Sequence, residues 1–277
     1  MRQAVAAAAA GLRKLGVGRG DRVAAIVPNI PEAVIGLLAT ASLGAIWSSC
    51  APEFGARSVI DRLVQIEPKV LFAVDGYFFA GKAFDRLGVV EEVRAALPGL
   101  AHTVLIADLD PAARLVGDDW IDWTTFVDGS SADLAFEPVP FDHPLWILFS
   151  SGTTGLPKAI VHGHGGVVVE HVKAIGLHLD VQPGDRLLWY TTTGWMMWNV
   201  LVGSLLVGGT AVLYDGSPGH PDLDVLWGLA EAAKLTHLGA SAAYLMACRK
   251  AGIEPGRTHD LGRLRCVGST EIGRAHV

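Results

Sequence analysis

Ser150-Ser151-Gly152-Thr153-Thr154-Gly155-Leu156-Pro157-Lys158 is the stretch on which the reading of this chain turns. It follows the apolar run Leu145–Phe149 and precedes Ala159-Ile160-Val161, which predicts a loop between two strands. Gly152 and Gly155 allow close approach to the backbone because they lack a Cβ. Backbone N–H groups and the hydroxyls of Ser150, Ser151, Thr153 and Thr154 offer donors, and Lys158 adds a positive charge. Together these are the chemistry of a polyphosphate cradle. Two residues separate the glycines and Lys158 lies three beyond the second, so the spacing departs from G-x-x-x-x-G-K-[ST] and is not a Walker loop. The competing reading of such a cluster is a Gly/Ser/Thr surface turn.

Outward from this loop, short β-branched runs alternate with helical patterns. Strands are predicted at Val23–Val27, Ala45–Trp47, Val70–Val74, Leu145–Phe149, Ala159–Val161, Arg186–Tyr190, Ala211–Tyr214 and Leu264–Val267. Helices are predicted from Pro31 onward and over Ala56–Ile66, Gly165–Leu177, Trp198–Val207, Asp222–Leu235 and Ala242–Ala251. Such alternation implies an α/β protein with parallel sheets flanked by helices. The pattern recurs twice, and residues 107–144, rich in Asp, Pro, Ser and Trp without clear periodicity, separate the two series. The expected division is one α/β subdomain at 1–140 and a second, carrying the phosphate loop, at 141–270.

The chain has 277 residues, of which 51% are hydrophobic and 18% charged, enough for one large α/β unit or two subdomains with substantial cores. A net charge of −6 argues against a nucleic-acid or anionic-membrane surface. Cys50, Cys248 and Cys266 are odd in number and widely spaced, which suits reduced thiols and a cytoplasmic setting better than a disulfide frame or a zinc site. The alanine-rich start running into Gly11-Leu12-Arg13-Lys14 reads as an amphipathic helix rather than an export signal, and no membrane span is predicted.

The loop at 150–158 resembles the phosphate-binding string of the adenylate-forming acyl-CoA synthetases, acyl-adenylating domains and luciferases. The resemblance runs through Asp21-Arg22-Val23, Pro28-Asn29, Leu43-Gly44-Ala45-Ile46 and Ile66-Glu67-Pro68-Lys69. Trp47-Ser48-Ser49, Pro52–Arg57, Tyr190–Asn199 and Gly239–Tyr244 look most like the acetoacetate-activating branch of that family. What the resemblance implies is an AMP-forming acid–thiol ligase using ATP, Mg²⁺ and coenzyme A, with acetoacetate as the acid. Acetate, propionate or another short acid is the alternative within that chemistry, and a non-catalytic nucleotide-binding module the alternative outside it. By the same resemblance Ser150, Ser151, Gly152, Thr153, Thr154, Gly155 and Lys158 would hold ATP phosphates. Trp195, Met196, Trp198, Asn199, Gly239 and Ser241 would line the acyl pocket, and Gly268, Ser269 and Thr270 would begin the loop beside adenine and acyl group.

The family pattern also leads us to expect a truncated start. The tail Glu271–Val277 resembles adapter read-through, and the small C-terminal domain with its catalytic lysine is expected to be absent. No catalytic residue is therefore assigned, and the chain alone is expected to be inactive and poorly soluble. Packing competes with the pocket reading at Trp195, Met197 and Trp198, because large apolar side chains are usually core. Small residues at a strand-to-helix turn, as at Gly239, often serve packing too. His162, His164, His171 and His178 lack the companions a metal site needs, and core or solvated histidines are the expectation.

Overall fold

Val70-Leu71-Phe72-Ala73-Val74 is a continuous apolar run with every residue buried, as a parallel strand covered on both faces requires. The structure, a computed structural model, describes residues 1–128, 133–150 and 155–270. In chain order the first elements are α1 (Arg2–Lys14), β1 (Arg22–Ile26), α2 (Pro31–Ser42), β2 (Ile46–Cys50), α3 (Ala56–Leu63), β3 (Val70–Val74), β4 (Gly76–Phe79), β5 (Lys82–Asp85) and α4 (Leu87–Ala95). They continue with β6 (His102–Ile106), β7 (Trp120–Asp122), α5 (Trp123–Val127), β8 (Pro144–Ser150), β9 (Lys158–Gly163) and α6 (His164–His171), the last running into a π-helical turn at Val172–His178. Next come β10 (Arg186–Trp189), α7 (Met196–Gly203) with a 3-10 turn at Ser204–Val207, β11 (Thr210–Val212) and α8 (Val225–Ala232). The described residues close with β12 (His237–Gly239), α9 (Ala242–Lys250), α10 (Pro255–Thr258) and β13 (Cys266–Gly268).

The chain divides into two units: Met1–Tyr77 with Ala83–Val167, and Phe78–Lys82 with the residues from Val168 onward. The first holds a sheet of order β7-β6-β3-β1-β2-β8-β9, parallel except for the antiparallel last pair. Strand alternation sorts its side chains onto two faces. Ala24, Ile26, Leu71 and Ala73 pack with Val59 and Leu63 of α3 and Val90 and Val93 of α4. Another cluster is aromatic, with Phe72 ring centroids 6.1 Å from Trp47 and 5.5 Å from Phe126. Gly11 lets α1 approach there, since a Cβ on it would lie 2.6 Å from the Phe126 carbonyl oxygen.

The second unit has a wholly parallel sheet of order β11-β10-β12-β13. Leu187 and Trp189 pack with Met197 and Leu201 of α7. Leu188, one residue out of phase, packs with Leu226 and Trp227 of α8 and Tyr244 and Cys248 of α9. Cys50, Cys248 and Cys266 are not in disulfides; the first two are buried, and burial pushes the Cys50 thiol up to about 12. Among the described residues no helix is long and apolar enough to cross a membrane.

β8 pairs in parallel with β2 at Trp47 and Trp146 and carries β9 with it into the first sheet, which is why the first unit runs on to Val167. The stretch 107–144, which lacks clear periodicity, contains β7, which lengthens that sheet beside β6, and α5. The tail 271–277 lies outside the described residues.

Candidate functional site

The hairpin β8–β9 holds Ser150 opposite Lys158 and Phe149 opposite Ala159. Because β8 runs parallel with β2, Ser150 lies at the carboxyl edge of the sheet. Ser151, Gly152, Thr153 and Thr154 lie outside the described residues. Gly155 has φ 151, backbone that L side chains rarely adopt, and open space where a Cβ would be, so conformation rather than crowding favours glycine. Lys158 is exposed.

Helix α3 and the residue just past it reach Phe149 of β8 and Pro157 before β9, which sequence reasoning missed. The Arg62 guanidinium carbon sits 5.0 Å from the Phe54 ring centroid and 6.0 Å from that of Phe149, and Arg62 also donates to the Ser58 carbonyl and hydroxyl, each at 2.6 Å. From just past the helix, Gln65 Nε2 donates to the Pro157 carbonyl at 2.9 Å. Nothing in the amphipathic pattern of 56–66 points to Pro157. His162 is engaged structurally, accepting at Nδ1 from the Trp146 indole N–H at 2.9 Å across the strand pair. The His164 ring centroid is 5.8 Å from that of His143, and burial, then the neighbouring His143, lowers its pKa. Among the described residues no group of three or more His, Cys, Asp and Glu side chains could hold a metal ion.

In the second unit the chain leaves β10 for β11 on one side and returns to β12 on the other. This reversal makes the carboxyl ends of β10 and β12 a topological switch point, the position where parallel α/β sheets bind ligands. Thr191, Thr193, Asn199, Gly239, Ala240 and Ser241 belong to the segments that follow those two strand ends, and Gly239 is paired with Gly268 of β13. The Trp189 indole covers both glycines: a Cβ on Gly239 would lie 2.0 Å from it and one on Gly268 2.9 Å. The indole thus supplies a packing reason for both. Ser241 caps α9, its hydroxyl accepting the Tyr244 N–H at 3.2 Å. Burial and then Cys248 raise the Tyr244 phenol, whose OH donates to the Leu223 carbonyl at 2.7 Å. Ser269 and Thr270 are exposed.

Helix α7 follows β10 in the chain. Trp195, its N-cap, is 37% exposed and Met196 38%, whereas Trp198 is fully buried and Asn199 is 2% exposed. Positions 195, 196 and 199 share one helical face. One turn further along that face is Gly203, where a Cβ would lie 2.1 Å from Nδ1 of the buried His171. Among the described residues, neither polar atom of the Asn199 amide has a hydrogen-bond partner. Thr191 and Thr193 are also buried.

Two α/β units, one with a glycine- and hydroxyl-rich sequence after a strand that ends at the carboxyl edge of its sheet and one with a topological switch point, have the architecture that holds small ligands at strand ends. Residues 1–277 match the family described as AMP-binding enzyme, and the chain belongs to it. It is 56% identical to acetoacetyl-CoA synthetase from Streptomyces lividans, with a TM-score of 0.93 over 97% of this chain and 41% of that one. It is also 49% identical, over 94% of its length and 40% of the relative's, to acetoacetyl-coenzyme A synthetase of Rhizobium meliloti (strain 1021). A further relative, malonamoyl-CoA synthetase vrtB of Penicillium aethiopicum, is 39% identical over 88% of this chain and 36% of its own. The chain therefore spans about two fifths of the length of the proteins it matches.

Proposed function

We propose that this chain is part of an AMP-forming ligase that activates acetoacetate with ATP and transfers the acetoacetyl group to coenzyme A. A carboxylate oxygen of the acid attacks the α-phosphorus, the bond to the β-phosphate oxygen breaks and pyrophosphate leaves. The coenzyme A thiolate then attacks the acyl carbon and AMP leaves. The demand on the protein is to neutralise the polyphosphate and align the attack.

Ser150, Ser151, Gly152, Thr153, Thr154, Gly155 and Lys158 are assigned to the β- and γ-phosphates, with Mg²⁺ arriving as MgATP. Trp195, Met196, Trp198, Asn199, Gly239 and Ser241 are assigned to the acyl group, Gly239 through its backbone because Trp189 occupies its side-chain space. Gly268, Ser269 and Thr270 are assigned to the start of the loop beside acyl group and adenine. The observation that carries the reading is the likeness over 97% of this chain to an acetoacetyl-CoA synthetase at 56% identity. The acyl groups named in the relatives, acetoacetyl and malonamoyl, share a carbonyl at C3. Cysteines outside disulfides and a net charge of −6 favour a cytoplasmic protein of small-molecule substrates.

The test is acid-dependent ATP–pyrophosphate exchange by the protein carried to the length of its relatives, with acetoacetate, acetate and 3-hydroxybutyrate compared. Preferred exchange with acetoacetate supports the proposal. Preference for acetate transfers it to a short-chain acyl ligase, and ATP binding without exchange to a nucleotide-binding module.

A further inference from the structure

Asn199 is a polar side chain placed where burial alone would select an apolar one. It is 2% exposed, between the buried Met197 and Trp198 and the fully buried Leu201, and neither its Nδ2 nor its Oδ1 has a hydrogen-bond partner among the described residues. Leaving buried donors and acceptors unpaired is unfavourable, so native proteins keep such groups few and each calls for an explanation. Its position on the helix supplies one. The face of α7 that carries it is closed one turn below by the His171 ring over Gly203 and open one turn above at Trp195 and Met196. The amide therefore lies one turn into α7, below the half-exposed Trp195 and Met196, in the helix that follows β10.

We infer that Asn199 is the specificity residue for the acid: its Nδ2–H donates to the oxygen at C3, and by this the site prefers 3-oxo acids to acids with a methylene at C3. This rests on the ligase reading above. A ketone oxygen is an acceptor only and suits the amide N–H, whereas a C3 methylene leaves that donor stranded. A site built to hydrogen-bond a substrate group rejects the analogue lacking it more strongly than an apolar pocket rejects a missing methylene. The carboxamide Oδ1 takes a water in the loaded site.

The experiment compares kcat/KM for acetoacetate and butanoate, by pyrophosphate exchange, in the protein carried to the length of its relatives and in its Asn199→Leu and Asn199→Asp variants. The leucine removes both unpaired atoms at similar volume; the aspartate keeps the shape and removes the donor. Expected is a fall of about 5- to 150-fold in the acetoacetate-to-butanoate ratio in both variants, the range for stranding or losing one buried hydrogen bond. The leucine variant should melt no lower than the wild type. An unchanged ratio, or equal losses on both acids with a lowered Tm, overturns the inference and leaves the ligase reading standing. Failure of the wild type to exchange with either acid overturns the ligase reading and this inference with it. Should Asn199→Leu not fold, the ratio in Asn199→Asp decides alone.

Discussion

At Asp75 one buried carboxylate gathers the backbone N–H groups of Asp108, Leu109 and Asp110, with donor–acceptor distances of 2.7, 3.0 and 2.7 Å. The loop after β6 is thereby tied to the end of β3. The Asp108 carboxyl beside it is raised, first by its own burial and then by the Asp75 charge. Asp75→Ala strands those N–H groups and should lower stability by about 2–4 kcal/mol, since hydrogen bonds to a buried charge are the strong ones. Chemical denaturation with an unchanged slope checks this; a loss under about 0.5 kcal/mol would place Asp75 with ordinary surface positions. None of these partners was legible in the sequence, because Asp75 and its donors lie 33–35 residues apart. Still longer separations hid Gln65 from Pro157 and Trp189 from Gly239 and Gly268. The string 150–158 could be singled out because its residues are contiguous, whereas what burial does to Trp195 and Asn199 is a property of packing.

Elements were legible where periodicity runs long enough. Val70–Val74 matches its strand residue for residue, and Pro31 does open α2. β12, with three residues, and β7, also with three, are too short to leave a period. The antiparallel pairing of β9 could have been read, since a parallel return needs a crossover of about a dozen residues or more. At element scale the join between α8 and the segment after α10 is electrostatic. His259 stands 2.7 Å from Asp224, the N-cap of α8, and 3.0 Å from Glu231 in its last turn. With both ring nitrogens facing carboxylates, Glu231 first and Asp224 second raise the His259 pKa. A histidine whose folded pKa is raised adds stability that is fully present below its ordinary value of about 6.5 and is lost as pH rises through the raised one. The Tm advantage of the wild type over His259→Gln should therefore shrink with increasing pH above about 6.5. An advantage independent of pH would show that the ring acts by packing.

At the scale of the molecule, parallel sheets flanked by helices were legible from the alternation of runs. The sheet that β8 joins was not, because its pairing with β2 is made from a distance. Each unit also holds one buried thiol, Cys50 in the first and Cys248 in the second, while Cys266 at the head of β13 is partly exposed. Burial keeps the first of these as an unreactive thiol at neutral pH. Under native conditions an alkylating reagent should therefore mark Cys266 first, and the other two only when their own unit opens. Simultaneous labelling of all three would contradict this order. With peptide mapping against time, the chain carries a pair of internal stopwatches, one per unit, that would time their separate opening without any introduced probe.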